Sequence, residues 1–149
     1  MDISLVPIGQ VAGLVPAILP FVGSEMCIRD RSEDWTRGRA TVDDLLRFVL
    51  NGQMHLWVVH DKEKIAGHVM TEIMVYPQCK MLRIQYCAMT TGTLDEINEK
   101  MQDVAARFAK DAGCSGIEFI GRPGWRATAN TYGYSVQSVM YQKFFEETT

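Results

Sequence analysis

His68 and Glu72 stand four residues apart in a run of strand-forming residues, Ile65 to Tyr76. At the two-residue period of a strand they share a face, so a carboxylate able to accept a proton would have an imidazole on its own side. A solvated or ion-paired sheet glutamate satisfies the same pattern. Glu118 and Arg122 repeat this spacing, either as charges flanking a cleft or as a structural ion pair. Tyr86 and Tyr132 offer hydroxyls, although both also read as packing aromatics. His55, His60 and His68 fall within one hairpin, but His55 and His60 should point to opposite faces, so no three-histidine metal site is expected. Cys87 and Cys114 have no local base pattern for nucleophilic chemistry, and the methionines follow strands and a helix as filler.

The elements that must position these residues follow from periodicity. Ile3 to Val6 reads as a first strand ended by Pro7, and Val11, Leu14, Val15, Ile18 and Leu19 recur at helical spacing, with Pro16 expected to kink or shorten that helix. Thr41-Val42-Asp43-Asp44 supplies an N-cap and an acidic first turn for a second helix that buries Leu45, Leu46, Val49 and Leu50 and closes at Asn51-Gly52. Met54–His60, Ile65–Tyr76 and Met81–Met89 predict three antiparallel strands in sequence order. Thr93 to Glu96 reads as a capping box for a long amphipathic helix reaching Gly113, and Ile117 to Ile120 as a strand beyond it. A strand, helix, strand unit of this kind places Met81–Met89 and Ile117–Ile120 parallel. A short helix over Ala127 to Tyr132 and a closing strand over Tyr134 to Phe145 complete the expectation.

A chain of 149 residues fits one domain over 1–149, with core enough to fold without disulfide staples. With 47% hydrophobic and 22% charged residues it is ordinary globular material, which excludes a disordered or membrane-embedded class. A net charge of −3 without a basic stripe argues against a nucleic-acid partner. The first apolar stretch is broken by Pro7, Gly9, Gly13, Pro16 and Pro20, so no membrane span is expected. The four cysteines show no metal-binding spacing and should be free thiols in a reducing, cytoplasmic setting. Val22 to Arg31, VGSEMCIRDR, matches an in-frame translation of a transposase adapter used in sequencing libraries. That stretch is expected to be adapter-derived, to carry no functional weight, and to point to environmental (metagenomic) DNA as the source.

The element order resembles the GNAT N-acetyltransferase fold, an α/β (α+β) architecture with a mixed central sheet of six to seven strands flanked by helices. Leu56-Trp57-Val58-Val59 followed by Ile65-Ala66-Gly67 resembles that family's second and third strands. Gly113-Cys114 before Ile117-Glu118 is similar to its passage from helix to strand, and Tyr132-Gly133-Tyr134 to its Gly-aromatic pair. Thr71-Glu72-Ile73 with Tyr76-Pro77, and Gly121 to Trp125, resemble a divergent GNAT-like group common in tailed-phage genomes.

The resemblance implies an acyltransferase that moves an acetyl or acyl group from acyl-CoA to an amine, in host cytoplasm if phage-encoded. It implies Glu72 or Glu118 as base, Tyr132 as the acid for the departing thiolate, and Met89, Thr90, Thr91, Gly92 and Thr93 as the backbone approaching acetyl-CoA. The family's glycine-rich pyrophosphate loop is not recognisable here: Ala88 to Thr93 has one glycine and no basic residue, and Asp95 and Glu96 oppose an anion at the helix start. The implied alternative is a catalytically degenerate phage protein that keeps the fold and acts in a virion or on a host protein.

Overall fold

The computed structural model describes residues 1–22, 40–62, 64–121 and 123–145. The adapter-like stretch, apart from Val22, and Arg122 lie outside the described residues. Strand β1 (Asp2–Leu5) leads to helix α1 (Ile8–Ile18) and helix α2 (Val42–Leu50). Strands β2 (His55–Asp61), β3 (Lys64–Val75) and β4 (Lys80–Met89) follow, then helix α3 (Thr93–Asp111) and strand β5 (Gly116–Phe119). A 3-10 turn (Pro123–Trp125) and helix α4 (Arg126–Thr131) come last.

The five strands form one mixed sheet in the order β1-β2-β3-β4-β5. β1 to β4 are antiparallel neighbours, and β4 and β5 are parallel, in register from Met81 opposite Gly116 to Ile84 opposite Phe119. The expected parallel pair bridged by an amphipathic helix is therefore present. Helices cover both faces. Val11 and Ile18 of α1 and Leu45 and Val49 of α2 pack on Leu56, Val58, Met70 and Tyr86. On the other face Ile97 and Met101 of α3 pack on Val59, Val69, Ile84 and Cys87, and Ala105 and Ala109 on Leu82. Pro16 sits in the last turn of α1, which runs on to Ile18.

The caps differ from one helix to the next. At α2 the expected cap forms as a full reciprocal box, with Asp44 N donating to Thr41 Oγ1 at 3.1 Å and Thr41 N to Asp44 Oδ2 at 2.9 Å. At α3 the capping box read from Thr93 to Glu96 does not form: the N-cap is Gly92, and Thr93 is the first helical residue. The Thr93 hydroxyl is buried against the Thr90 hydroxyl at 2.6 Å, so it is not available to cap.

The sheet has five strands instead of six to seven, because Tyr134 to Phe145 forms no closing strand among the described residues. Apolar side chains fall on both alternation faces there (Val136 and Met140 on one, Val139 and Tyr141 on the other), separated by Ser, Gln and Lys. The segment lies largely exposed and joins the sheet at no position among the described residues.

Candidate active site

The parallel pairing stops at Ile84 and Phe119, while β4 continues through Gln85 to Met89. Beyond that point β5 has ended at Phe119, and the β5 side of β4 has no ladder partner among the described residues as it runs on toward the N-terminus of α3. The end of the parallel ladder coincides with a bulge: Met70 pairs with Tyr86 and Thr71 with Ile84, which leaves Gln85 extra on β4. At the far end of this stretch Gly67 of β3 lies so close to β4 that a Cβ would sit 2.5 Å from Ala88 O and 2.8 Å from Met89 Cα. Only glycine allows that approach.

Three charged residues line up in register where the strands still pair. Glu72 of β3 is opposite Arg83 of β4, and Arg83 is opposite Glu118 of β5. Glu118 is committed: its Oε1 accepts from Tyr76 Oη at 2.6 Å and from Arg83 Nε at 3.3 Å, and the Arg83 Nη2 atom lies 3.3 Å away. Tyr76 is held above the ordinary tyrosine pKa by that bond to Glu118. Glu72 has a lighter load, since its Oε2 accepts from the bulge residue Gln85 Nε2 at 3.0 Å. No hydrogen bond to Glu72 Oε1 occurs among the described residues.

The imidazole associated with Glu72 is not the one the strand period suggests. His68 shares the Glu72 face but is fully buried between its register partners Val58 and Ala88, with no hydrogen-bond partner for either ring nitrogen among the described residues. Burial lowers its pKa to about 4. His55 carries the electrostatic link instead: burial lowers its pKa, and the Glu72 charge partly offsets the effect. Its Nδ1 is 2.9 Å from Thr71 Oγ1, and its ring meets Phe108 edge-on at 4.9 Å.

Tyr132 lies at the C-terminal end of α4, 37% exposed, and no hydrogen bond joins it to Glu72 or Glu118. Its neighbour Tyr134 is better anchored. The Tyr134 ring stacks edge-on with Phe119 at 5.1 Å, its hydroxyl donates to Gln102 Oε1 of α3 at 2.7 Å, and burial pushes its pKa up to about 12. Trp125 meets Phe119 at 5.8 Å from another side, so these aromatics fix the chain where it leaves β5. Tyr86 packs in the core under α1 and α2. The Glu118–Arg122 pairing read from spacing falls on a residue outside the described set, and the ion pair seen is Arg83–Glu118.

The loop Met89 to Thr93 is a tight turn. Thr90 N donates to Ala66 O at 2.9 Å and Thr93 N to Thr90 O at 3.1 Å. Gly92 is left-handed at φ 85°, with nothing within 4 Å of where a Cβ would lie. Thr90 O takes the first amide of α3, Thr93 N, and no side chain caps the rest of that helix start among the described residues, the kind of terminus at which backbone amides can meet an anion. Asp95 and Glu96 in that turn, both exposed, act against one.

Arg83 and Gln85 do not stand out in the sequence, and Tyr76 enters there only through the Tyr76-Pro77 phrase, with no role in a site. The alternation Leu82-Arg83-Ile84-Gln85-Tyr86 does mark polar positions on a strand, but it cannot reveal the bulge that brings Gln85 to Glu72.

No family model and no curated protein matches the sequence. Solved structures do. A ribosomal-protein-alanine N-acetyltransferase from Brucella melitensis biovar Abortus 2308 superposes with a TM-score of 0.65 at 12% identity, covering 97% of this chain and 100% of that one. The fold is that of the GNAT N-acetyltransferases. An aminoglycoside acetyltransferase from an uncultured soil metagenomic sample gives 0.65 at 10% identity over 99% of this chain and 96% of its own. Glucosamine-6-phosphate N-acetyltransferase from Arabidopsis thaliana gives 0.61 at 14% identity over 97% and 98%. At these identities the likeness is one of GNAT architecture.

Proposed function

We propose that this GNAT-fold chain transfers an acyl group from an acyl-CoA to an amine, with Glu72 accepting the amine proton. The observation that carries the reading is the edge of β4 that runs on past the end of β5, unladdered on that side among the described residues, between the α3 N-terminus and the Glu72–Arg83–Glu118 rung. An acyl-CoA supplies the activated thioester carbonyl, with acetyl-CoA the simplest case. The residues present suit such a group through backbone alone: the unladdered edge of β4 from Gln85 to Met89 for an extended amide-bearing arm, and the Thr90 to Thr93 turn with open Gly92 for phosphate. No basic side chain stands in that turn, so binding would rest on amide donors and the helix end.

Glu72 suits the base role because Gln85 holds Oε2 while Oε1, with no hydrogen bond among the described residues, can take the proton an acceptor amine loses. Glu118, already shared by Tyr76 and Arg83, is a positioning carboxylate that holds the Arg83 guanidinium. The acid for the leaving thiolate is assigned to Tyr132, on resemblance alone.

A second reading, a non-catalytic phage protein acting in a virion or on a host protein, is favoured by Asp95 and Glu96 at the helix start. Titration with acetyl-CoA by calorimetry or thermal shift separates the two: saturable stabilisation supports transfer, and none at millimolar cofactor supports the scaffold.

A further inference from the structure

Two opposite charges stand side by side on one face of the sheet and do not pair. Glu72 and Arg83 are register partners on adjacent strands, which puts their Cβ atoms about 5 Å apart. No ion pair or hydrogen bond joins them among the described residues: Gln85 holds Glu72 Oε2, while Glu118 and Tyr76 hold Arg83 Nε and Nη2. Glu72 Oε1 and the two N–H groups of Arg83 Nη1 thus have no hydrogen bond among the described residues. Their face is the one opposite α3, since the alternate residues Ile73 and Leu82 pack with Ala105 and Ala109 of that helix. The core under α1 and α2 reaches Met70 and Tyr86 on this face. One rung beyond the charges, Met74 stands opposite Met81 and Met81 opposite Gly116. Both methionines are half-buried and belong to no core cluster among the described residues. The Met81 methyl lies over Gly116, 3.0 Å from where a Cβ would stand.

We propose that this shelf takes a free α-amino acid with an apolar side chain as the acyl acceptor: its amine meets Glu72 Oε1, its carboxylate meets Arg83 Nη1, and its side chain lies over Met74 and Met81. The assignment rests on the acyl-transfer reading and adds which amine is used. An α-amino acid carries an ammonium and a carboxylate on one carbon, the same two charges in complementary order to those that Glu72 and Arg83 present from neighbouring strands. A plain amine leaves the Nη1 donors unmatched. The guanidinium is already fixed by Glu118 and Tyr76, so little side-chain freedom is lost when a carboxylate arrives. Methionine side chains adapt to apolar groups of differing shape, which suits a class of amino acids more than a single one. On transfer the ammonium gives one proton to Glu72, its nitrogen bonds the thioester carbonyl carbon as the C–S bond breaks, and its second proton leaves with the sulfur. The products are an N-acyl amino acid and a free thiol.

The test reads binding on the full chain before it reads transfer. L-methionine, L-methioninamide and glycine are titrated by calorimetry without any acyl-CoA. L-methionine should bind about tenfold or more tightly than the amide, which lacks the carboxylate, and than glycine, which lacks the side chain. Arg83→Gln should weaken L-methionine by about tenfold or more and leave L-methioninamide within about twofold, a split that a general loss of structure does not produce. The ratios on the parent protein need no variant, so they decide the matter even where Arg83→Gln fails to fold. No saturable binding of L-methionine at millimolar concentration overturns the proposal, as does an amide or glycine that binds equally well, or an equal loss of acid and amide in Arg83→Gln. The acyl-transfer reading fails separately. L-methionine bound at the expected ratios but not acylated by acetyl-CoA keeps the amino-acid site and rejects transfer, whereas L-methioninamide acylated as fast as L-methionine keeps transfer and overturns the amino-acid assignment.

Discussion

Arg83 and Glu118 face each other across the parallel β4–β5 pair, with Nη2 3.3 Å from Oε1 and the Tyr76 hydroxyl bonded to both. This contact lies one residue before the end of the parallel ladder, and it distinguishes the two nearby carboxylates. Glu118 is occupied by donors. Glu72, on the other side of Arg83, has no hydrogen bond to Oε1 among the described residues.

The two carboxylates should therefore respond differently to loss of charge. Glu72→Gln is expected to lower kcat of acyl transfer by about 10²–10⁴-fold with the fold intact. Glu118→Gln should lower stability by no more than about 1 kcal/mol, because the pair is partly solvated and screened, and should lower kcat by less than Glu72→Gln. Steady-state kinetics and thermal unfolding of both variants measure this; an equal loss of kcat in the two would reject the division. Tyr132→Phe, at an exposed position, should cost about 10²-fold in kcat with no change in melting temperature if its hydroxyl protonates the thiolate.

Gly67 and Gly92 make opposite demands on a methyl group. Gly67→Ala drives a Cβ into the β4 backbone at Ala88 and Met89, where neither partner can rotate away. It should cost about 1–3 kcal/mol or more and disturb the adjacent loop to α3. Gly92→Ala meets open space but must hold φ 85°, and should cost about 1 kcal/mol. Gly92→Asn should recover most of that loss. Denaturant unfolding with a constant m-value reads all three, and a Gly67→Ala protein as stable as the parent would show that β3 and β4 can move apart here.

Much of this was legible in the sequence. The apolar period of Ile97, Met101, Ala105 and Phe108, followed by the short apolar run at Ile117, fixes α3 and the parallel pair, because buried stripes tolerate few alternatives. The capping box at α3 was misread because Thr93-Leu94-Asp95-Glu96 fits the pattern locally while the Thr93 hydroxyl is spent on Thr90, a contact that only the turn creates. The closing strand was misread because β-forming composition at Val136 to Tyr141 signals a strand without naming its partner. In the site, Glu72 and Glu118 stood out as charges in apolar runs. Arg83 between them did not, since register across three strands is a tertiary fact.

His68 should make the fold sensitive to acid. Its folded pKa, about 4, lies below the ordinary 6.5, so the unfolded chain binds a proton that the native core rejects. The stability present above pH 6.5 is lost as pH falls toward 4. The shift amounts to about 3 kcal/mol at most, since it comes from desolvation of a group with no partner among the described residues. His68→Leu should remove that loss and leave neutral-pH stability the same or higher, since two unsatisfied nitrogens leave the core with it. Unfolding free energies at pH 7 and pH 5 decide it: a parent protein with no drop between them relative to His68→Leu would mean the imidazole finds a proton acceptor.

Asp95 and Glu96 carry the last prediction, because they set helix stability against anion binding at one place. Both lie in the first turn of α3, where carboxylates favour the helix by about 0.3–1 kcal/mol each and repel phosphate by the same field. Asp95→Asn with Glu96→Gln should lower stability by about 1 kcal/mol while tightening acetyl-CoA several-fold, and the gain should shrink as salt rises because both positions are exposed. Calorimetry at two ionic strengths reads the effect. Unchanged affinity in the double variant, with the helix demonstrably weakened, would mean that any cofactor phosphate lies elsewhere and that the α3 terminus takes no part in holding it.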